Sequence, residues 1–141
     1  MTTRPLIQGT KLSSAITPTA GAAGATNING TIIDMSGFDG CLIAVHFGAI
    51  VGGAVTSIKA QHGDDSALAD AADITGSSVT VADTDDDKVF YIDVRSRKRY
   101  LRLVALRATQ NSTLAATYLQ YDAKSRPTSQ AAAVTGATVN A

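Results

Sequence analysis

The side chains with the most chemical potential in this chain are Cys41, His46, His62 and the acidic run at residues 83–87, DTDDD. A cysteine acts as a nucleophile when a nearby cation or helix N-terminus stabilises its thiolate. Cys41 instead begins the apolar run 41–50, CLIAVHFGAI, which marks it as packing, and as the single cysteine it has no disulfide partner within the chain. His46, inside the same run, reads as a hydrogen-bonded core histidine, and His62, at the end of the run 55–62, as a turn residue. Asp83, Asp85, Asp86 and Asp87 alternate somewhat as calcium-loop ligands do. The glycine at the sixth position and the glutamate at the twelfth that complete an EF-hand are missing, and Lys88 follows directly, so this run reads as a solvated acidic turn. Gly-x-Ser-x-Gly, the Gly-x-x-x-x-Gly-Lys phosphate loop and His-Glu-x-x-His are absent. No catalytic, metal-binding or cofactor-binding residue and no cofactor is assigned, and the expectation is a protein that is not an enzyme.

Charge is distributed more informatively than its zero total suggests. Between Asp64 and Asp87 stand eight aspartates and no lysine or arginine; between Arg95 and Arg107 stand six basic residues and no acid. Arg95, Arg97, Lys98 and Arg99 lie in a turn too polar to be buried, with Arg102 just beyond. Such a cluster can grip phosphates, but nucleic-acid binders add a wider basic face and stacking aromatics. Only Tyr91 and Tyr100 are near, so no nucleic-acid partner is expected. The sharper reading is complementary contact between copies, Asp85, Asp86 and Asp87 of one facing Arg95, Arg97, Lys98, Arg99 and Arg102 of another, with a homodimer as the natural unit and a trimer as the variant.

The elements that must position these groups are strands. All 12 acidic residues are aspartate, a residue of turns and caps more than of helix interiors. The segment 88–107, KVFYIDVRSRKRYLRLVALR, reads as a β-hairpin, its arms 89–94 and 100–105 pairing across the basic turn. Ahead of it come a short strand at 31–34, a turn at 36–40, a central strand at 41–50 covered on both faces, a strand at 55–62 with Ile58 and Ala60 inward, one helical turn capped by Asp65 or Ser66, and a strand at 79–81. The last strand is 114–121. Residues 1–28 and 123–141 are rich in Ala, Thr, Ser and Gly and read as extended arms flanking a core at 29–122. The fold class is all-β, an antiparallel β-sandwich, jelly-roll-like, with extended N- and C-terminal arms. No signal peptide or apolar run long enough to span a bilayer is visible, so the expectation is synthesis in a cytoplasm and no membrane partner.

The Gly30-Thr31 strand, the Ser36-Gly37-Phe38-Asp39-Gly40 turn, the apolar strand from Cys41 to Phe47, the segment KAQHGDDS at 59–66 and the segment RKRYLR at 97–102 resemble the small capsid decoration, or cement, proteins of tailed bacteriophages over residues 29–122. The resemblance implies a jelly-roll-like sandwich on the outer surface of the virion. It would bridge neighbouring subunits of the major capsid protein lattice and stabilise the shell, with no catalytic residues. The alternative is an adhesion or carbohydrate-binding sandwich of a phage tail or fibre, which would expose aromatics on one sheet face.

Overall fold

The computed structural model describes residues 4–18, 26–52, 56–107 and 112–139. A 3-10 turn, Leu6–Gln8, precedes ten strands: β1 (Lys11–Ile16), β2 (Ile28–Asn29), β3 (Ile33–Asp34), β4 (Phe38–Ile50), β5 (Thr56–Gly63), β6 (Ala72–Asp73), β7 (Val79–Val81), β8 (Val89–Val94), β9 (Tyr100–Leu106) and β10 (Ser112–Ala123). They form two antiparallel sheets. Sheet A has the order β1-β10-β4-β8; sheet B has the order β2-β9-β5-β6, with β3 also on β9 and β7 also on β5. Taking β2 with β3, and β6 with β7, as two interrupted strands leaves eight. Their pairing follows one rule: first with last (β1 with β10), second with seventh (β2 and β3 with β9), third with sixth (β4 with β8), fourth with fifth (β5 with β6 and β7). This is a long hairpin rolled into two layers, the jelly roll expected from the sequence. Among the described residues no helix is long and apolar enough to cross a membrane.

Alternation decides which side chains make the core. Cys41, Ile43, Val45 and Phe47 of β4, Leu114, Ala116 and Tyr118 of β10, and Ile92 and Val94 of β8 face inward from sheet A. Ile58 and Ala60 of β5 and Leu101 and Leu103 of β9 meet them from sheet B. Phe47 and Phe90 close one end edge to face, centroids 5.5 Å apart. Tyr118 is fully buried and joins the layers where β2 and β3 are interrupted: its hydroxyl accepts the Leu103 N–H and donates to the Thr31 carbonyl, both at 2.8 Å. Gly30 gives that hydroxyl room, because a Cβ there would stand 2.9 Å from it.

Four expectations change. Segments 89–94 and 100–105 do not pair as a hairpin; β8 bonds to β4 in sheet A and β9 to β2, β3 and β5 in sheet B. Both bury an apolar row, and placing them in opposite layers lets those rows pack against each other, so residues 95–99 cross between sheets instead of turning back. The central strand is covered on one face only, since His46 points outward and is exposed. The segment after Asp65 forms successive turns, not a helix: Asp65 Oδ2 accepts the amides of Ala67 and Ala69, and Asp70 accepts those of Asp64 and Asp65. The arms are partly docked. Lys11–Ile16 is an edge strand on β10, since backbone pairing needs no large side chains. Residues 124–130 fold back beside it, with the Lys124 amide donating to the Gly37 carbonyl (2.8 Å) and the Thr128 amide to the Gln8 carbonyl (3.1 Å). Gln130 Oε1 accepts the Leu12 amide at 2.7 Å, while its Nε2 donates to the carbonyls of Thr10 and Ile7.

Candidate interaction surface

β8 carries the acidic loop 83–87 at its start and the basic linker 95–99 at its end. Both are built, not loose. In the acidic loop the Asp85 carboxylate accepts the Ala82 amide (2.8 Å) and pairs with Lys88 (2.7 Å). The hydrogen bond from Lys88, with that from the Ala82 amide, holds the Asp85 carboxyl below its ordinary range. Asp86 Oδ1 accepts the Ile50 amide at 2.7 Å and so ends β4. Asp87 sits at φ 59°, its amide on the Gly48 carbonyl and its side chain exposed.

The basic linker is pinned from three directions. Ser96 Oγ accepts the Lys98 amide, donates to the Lys98 carbonyl, and lies 3.0 Å from His62 Nδ1. Lys98 Nζ stands 3.8 Å from Asp64. Arg99 grips Asp34 with Nε and Nη2, the shortest contact 2.9 Å, and lies over the Tyr100 ring. The Arg99 hydrogen bond holds the Asp34 carboxyl below the usual carboxylate range. Arg95 reaches Asp122 at 3.2 Å and covers the Tyr121 ring, its side chain remaining mostly exposed. Arg97 is exposed, with no partner among the described residues. Arg102 is apart from these: it lies on the outer face of sheet B, where Gln61 Oε1 accepts from its Nε and Nη2, and Gln61 Nε2 donates to Asp73, which also pairs with Lys59. Thus Arg95, Arg97, Lys98 and Arg99 share one linker and Asp85, Asp86 and Asp87 one loop. The two groups flank β8 from opposite ends, and Arg102 belongs to neither.

The residues suited to covalent chemistry do not converge. Cys41 faces the core and burial pushes its thiol up to about 12, whereas His46 is on the opposite face of the same strand. His62 is half-buried within β5, not a turn residue. Its contact with Ser96 was invisible in the sequence because it joins residues 34 apart through the sheet-to-sheet crossing. His62 Nδ1 and Ser96 Oγ share a hydrogen bond, and the pair acts as a clasp on the linker. Among the described residues no three of His, Cys, Asp and Glu are placed to hold a metal ion.

The outer faces of the sheets contrast. Across sheet A the register aligns Leu12 with Leu119, Leu42 and Asp93, Ser14 with Thr117, Ala44 and Tyr91, and Ala115 with His46 and Val89. These rows hold no lysine or arginine, and Val89 and Tyr91 are 61% and 70% exposed. Below them Tyr121 lies over Gly40, whose absent Cβ would fall 2.2 Å from the ring, and its hydroxyl donates to Asp93 at 2.6 Å across β4. Sheet B turns outward the charged network of Lys59, Gln61, Asp73 and Arg102 instead.

No family model matches the chain, and no curated protein matches it in sequence. Among solved structures it is similar to a protein of Bacillus endospore appendages, described as a novel family of disulfide-linked pili. The TM-score is 0.51, over 81% of this chain and 88% of that one, at 13% identity. That likeness is one of fold: two antiparallel sheets packed as an all-β sandwich.

Proposed function

We propose that this chain is a structural, non-enzymatic bacteriophage head protein that decorates the major capsid protein lattice from outside and stabilises the shell, with self-association as part of its action. The observation that carries the reading is the outer face of sheet A. Four strands wide, free of lysine and arginine in its rows, and exposing Val89 and Tyr91, it suits docking on a broad protein surface rather than enclosing a small ligand. The segments 4–10 and 124–139 border the same sheet beyond β1, where Pro5, Leu6, Leu12 and Val134 line a groove. Attachment then combines a flat face with flanking extended chain, and many copies held at several points resist dissociation through high local concentration.

The test is co-sedimentation with undecorated heads. Wild-type protein should pellet with heads and raise their resistance to heat; Tyr91→Asp with Ala44→Asp, which charges the face, should abolish retention while the sandwich stays folded. Retention of that variant at wild-type level would sink the reading. Because β1 belongs to the sheet, truncation should start after residue 139 or stop before residue 10, not remove residues 1–28.

The likeness to a pilus protein favours a second reading, a subunit of an extracellular filament. Disulfide linkage of that kind does not carry over to Cys41, which is buried between the sheets. Failure to bind heads together with filament formation in solution would support this alternative.

A further inference from the structure

The two edges of sheet A are treated differently. At β1 two of the outward groups are engaged, the Leu12 amide by Gln130 and the Ala15 carbonyl by the Thr31 amide at 2.9 Å. At β8 no such cover exists among the described residues. The bond from the Phe47 amide to the Lys88 carbonyl (3.0 Å) sets the alternation along β4 and β8. Phe90, Ile92 and Val94 therefore exchange bonds with β4, while the backbone N–H and C=O groups of Val89, Tyr91 and Asp93 point away from the sheet. The loop bearing Ile74, Thr75, Gly76 and Ser77 faces Ile92, Asp93, Val94 and Arg95 across a cleft, with no hydrogen bond spanning it. An open edge of this kind invites another strand.

Charge says which strand. The acidic loop and the basic linker stand at opposite ends of β8, about 20 Å apart at ~3.3 Å per residue, too far to neutralise each other within one chain. A second β8 laid antiparallel brings each acidic loop beside the other copy's basic linker, and it does so twice. A parallel strand would set like against like. We infer that β8 is a self-pairing edge: two copies join antiparallel across a two-fold axis at Tyr91. Tyr91 then opposes Tyr91 of the second copy, Val89 opposes its Asp93, and the outward groups of all three residues are satisfied. Exposed Arg97 and Asp87 lie in the contact, and the two A sheets become one eight-stranded surface. This deepens the self-association part of the reading above and does not depend on a capsid.

The experiment is sedimentation of the full chain across a concentration series, with three variants. The wild type should dimerise, more weakly as salt rises. Tyr91→Pro removes an N–H that its own sheet does not use, so its circular dichroism should match wild type while dimer affinity drops at least about tenfold. Arg97→Asp should weaken the dimer as well. Register is read by cysteine: Tyr91→Cys should cross-link to itself, since directly opposed hydrogen-bonded residues stand about 5.5 Å apart at Cα. Val89→Cys should not, because its own copy lies about 13 Å away in this register. A chain that is monomeric throughout, a Tyr91→Pro variant with undiminished dimer affinity, or self-cross-linking of Val89→Cys as fast as of Tyr91→Cys would each overturn the inference. A monomer that still pellets with heads leaves the lattice reading standing without the edge pairing, and a dimer that ignores heads does the reverse.

Discussion

Tyr118→Phe is the most exacting test of how the two layers are held. The change keeps the ring and its packing and deletes one oxygen. That oxygen accepts the Leu103 amide and donates to the Thr31 carbonyl, both at 2.8 Å, in a place where the side chain is fully buried and Gly30 closes the approach. Two backbone groups lose their partner: the buried Leu103 amide, at about 1–3 kcal/mol for an unsatisfied buried group, and the part-buried Thr31 carbonyl, at about 1 kcal/mol for an ordinary hydrogen bond. The summed loss is then about 2–4 kcal/mol, a large share of the roughly 5–15 kcal/mol that holds a domain folded. At about 3–4 °C per kcal/mol for a domain of this size, Tm should fall by roughly 6–15 °C. Urea unfolding followed by circular dichroism should show a lower midpoint with an unchanged slope, since the surface exposed on unfolding is the same. Tyr121→Phe is the control. Its hydroxyl bonds an exposed Asp93, so its loss should cost under about 1 kcal/mol. Equal midpoints for Tyr118→Phe and Tyr121→Phe would refute the argument that Tyr118 completes sheet B at the break between β2 and β3.

Two further outcomes follow from named contacts. Gly40→Ala should lower the urea midpoint in the wild type but have much less effect in a Tyr121→Ala background, because the three atoms nearest the added Cβ all belong to the Tyr121 side chain; equal losses in both backgrounds would place the cost in the backbone. The carboxyls of Asp34, Asp70, Asp73 and Asp85 are all held below their ordinary range, by Arg99, by the Asp64 and Asp65 amides, by Lys59 and by Lys88 respectively. As pH falls the unfolded chain binds protons first, so their contribution is fully present above the unfolded value of about 3.9 and is lost as pH falls through the lower folded values. Unfolding midpoints should be flat from neutrality to about pH 5 and fall below about pH 4, with a shallower fall in Asp34→Asn; an unchanged slope in that variant would remove Asp34 from the account.

Much of the fold was legible because the apolar run 41–50 and the period-two alternation in 55–62 and 114–121 mark strands whatever their partners. Pairing was less so. The sequence proximity of 89–94 and 100–105 argues for a hairpin, and only the need to bury both Ile92 and Leu103 between layers separates them. Residues 11–16 read as an arm because Ser13, Ser14 and Ala15 carry little apolar surface, yet β10 needs a backbone neighbour more than a side chain. The candidate surface was visible as two blocks of opposite charge. That Asp86 ends β4, that Arg99 is committed to Asp34, and that Arg102 faces out from the other sheet depend on contacts between residues 36, 65 and 41 positions apart, beyond any local pattern.

The rolled-hairpin pairing also orders the assembly of the chain in time. The innermost pair, β5 with β6 and β7, joins residues within one short stretch, whereas β1 and β10 meet from opposite ends of the sequence, Lys11 against Gln120. Loop closure grows costlier with length, by about 0.6 kcal/mol for each doubling, so the inner pair closes first and the outer pair last, unless earlier pairs have already shortened the span. A chain emerging from the ribosome meets the same constraint in stricter form. Lys11–Ile16 is made early, but the strand it must join is completed only near residue 123, and until then the first strand waits with its backbone unpaired.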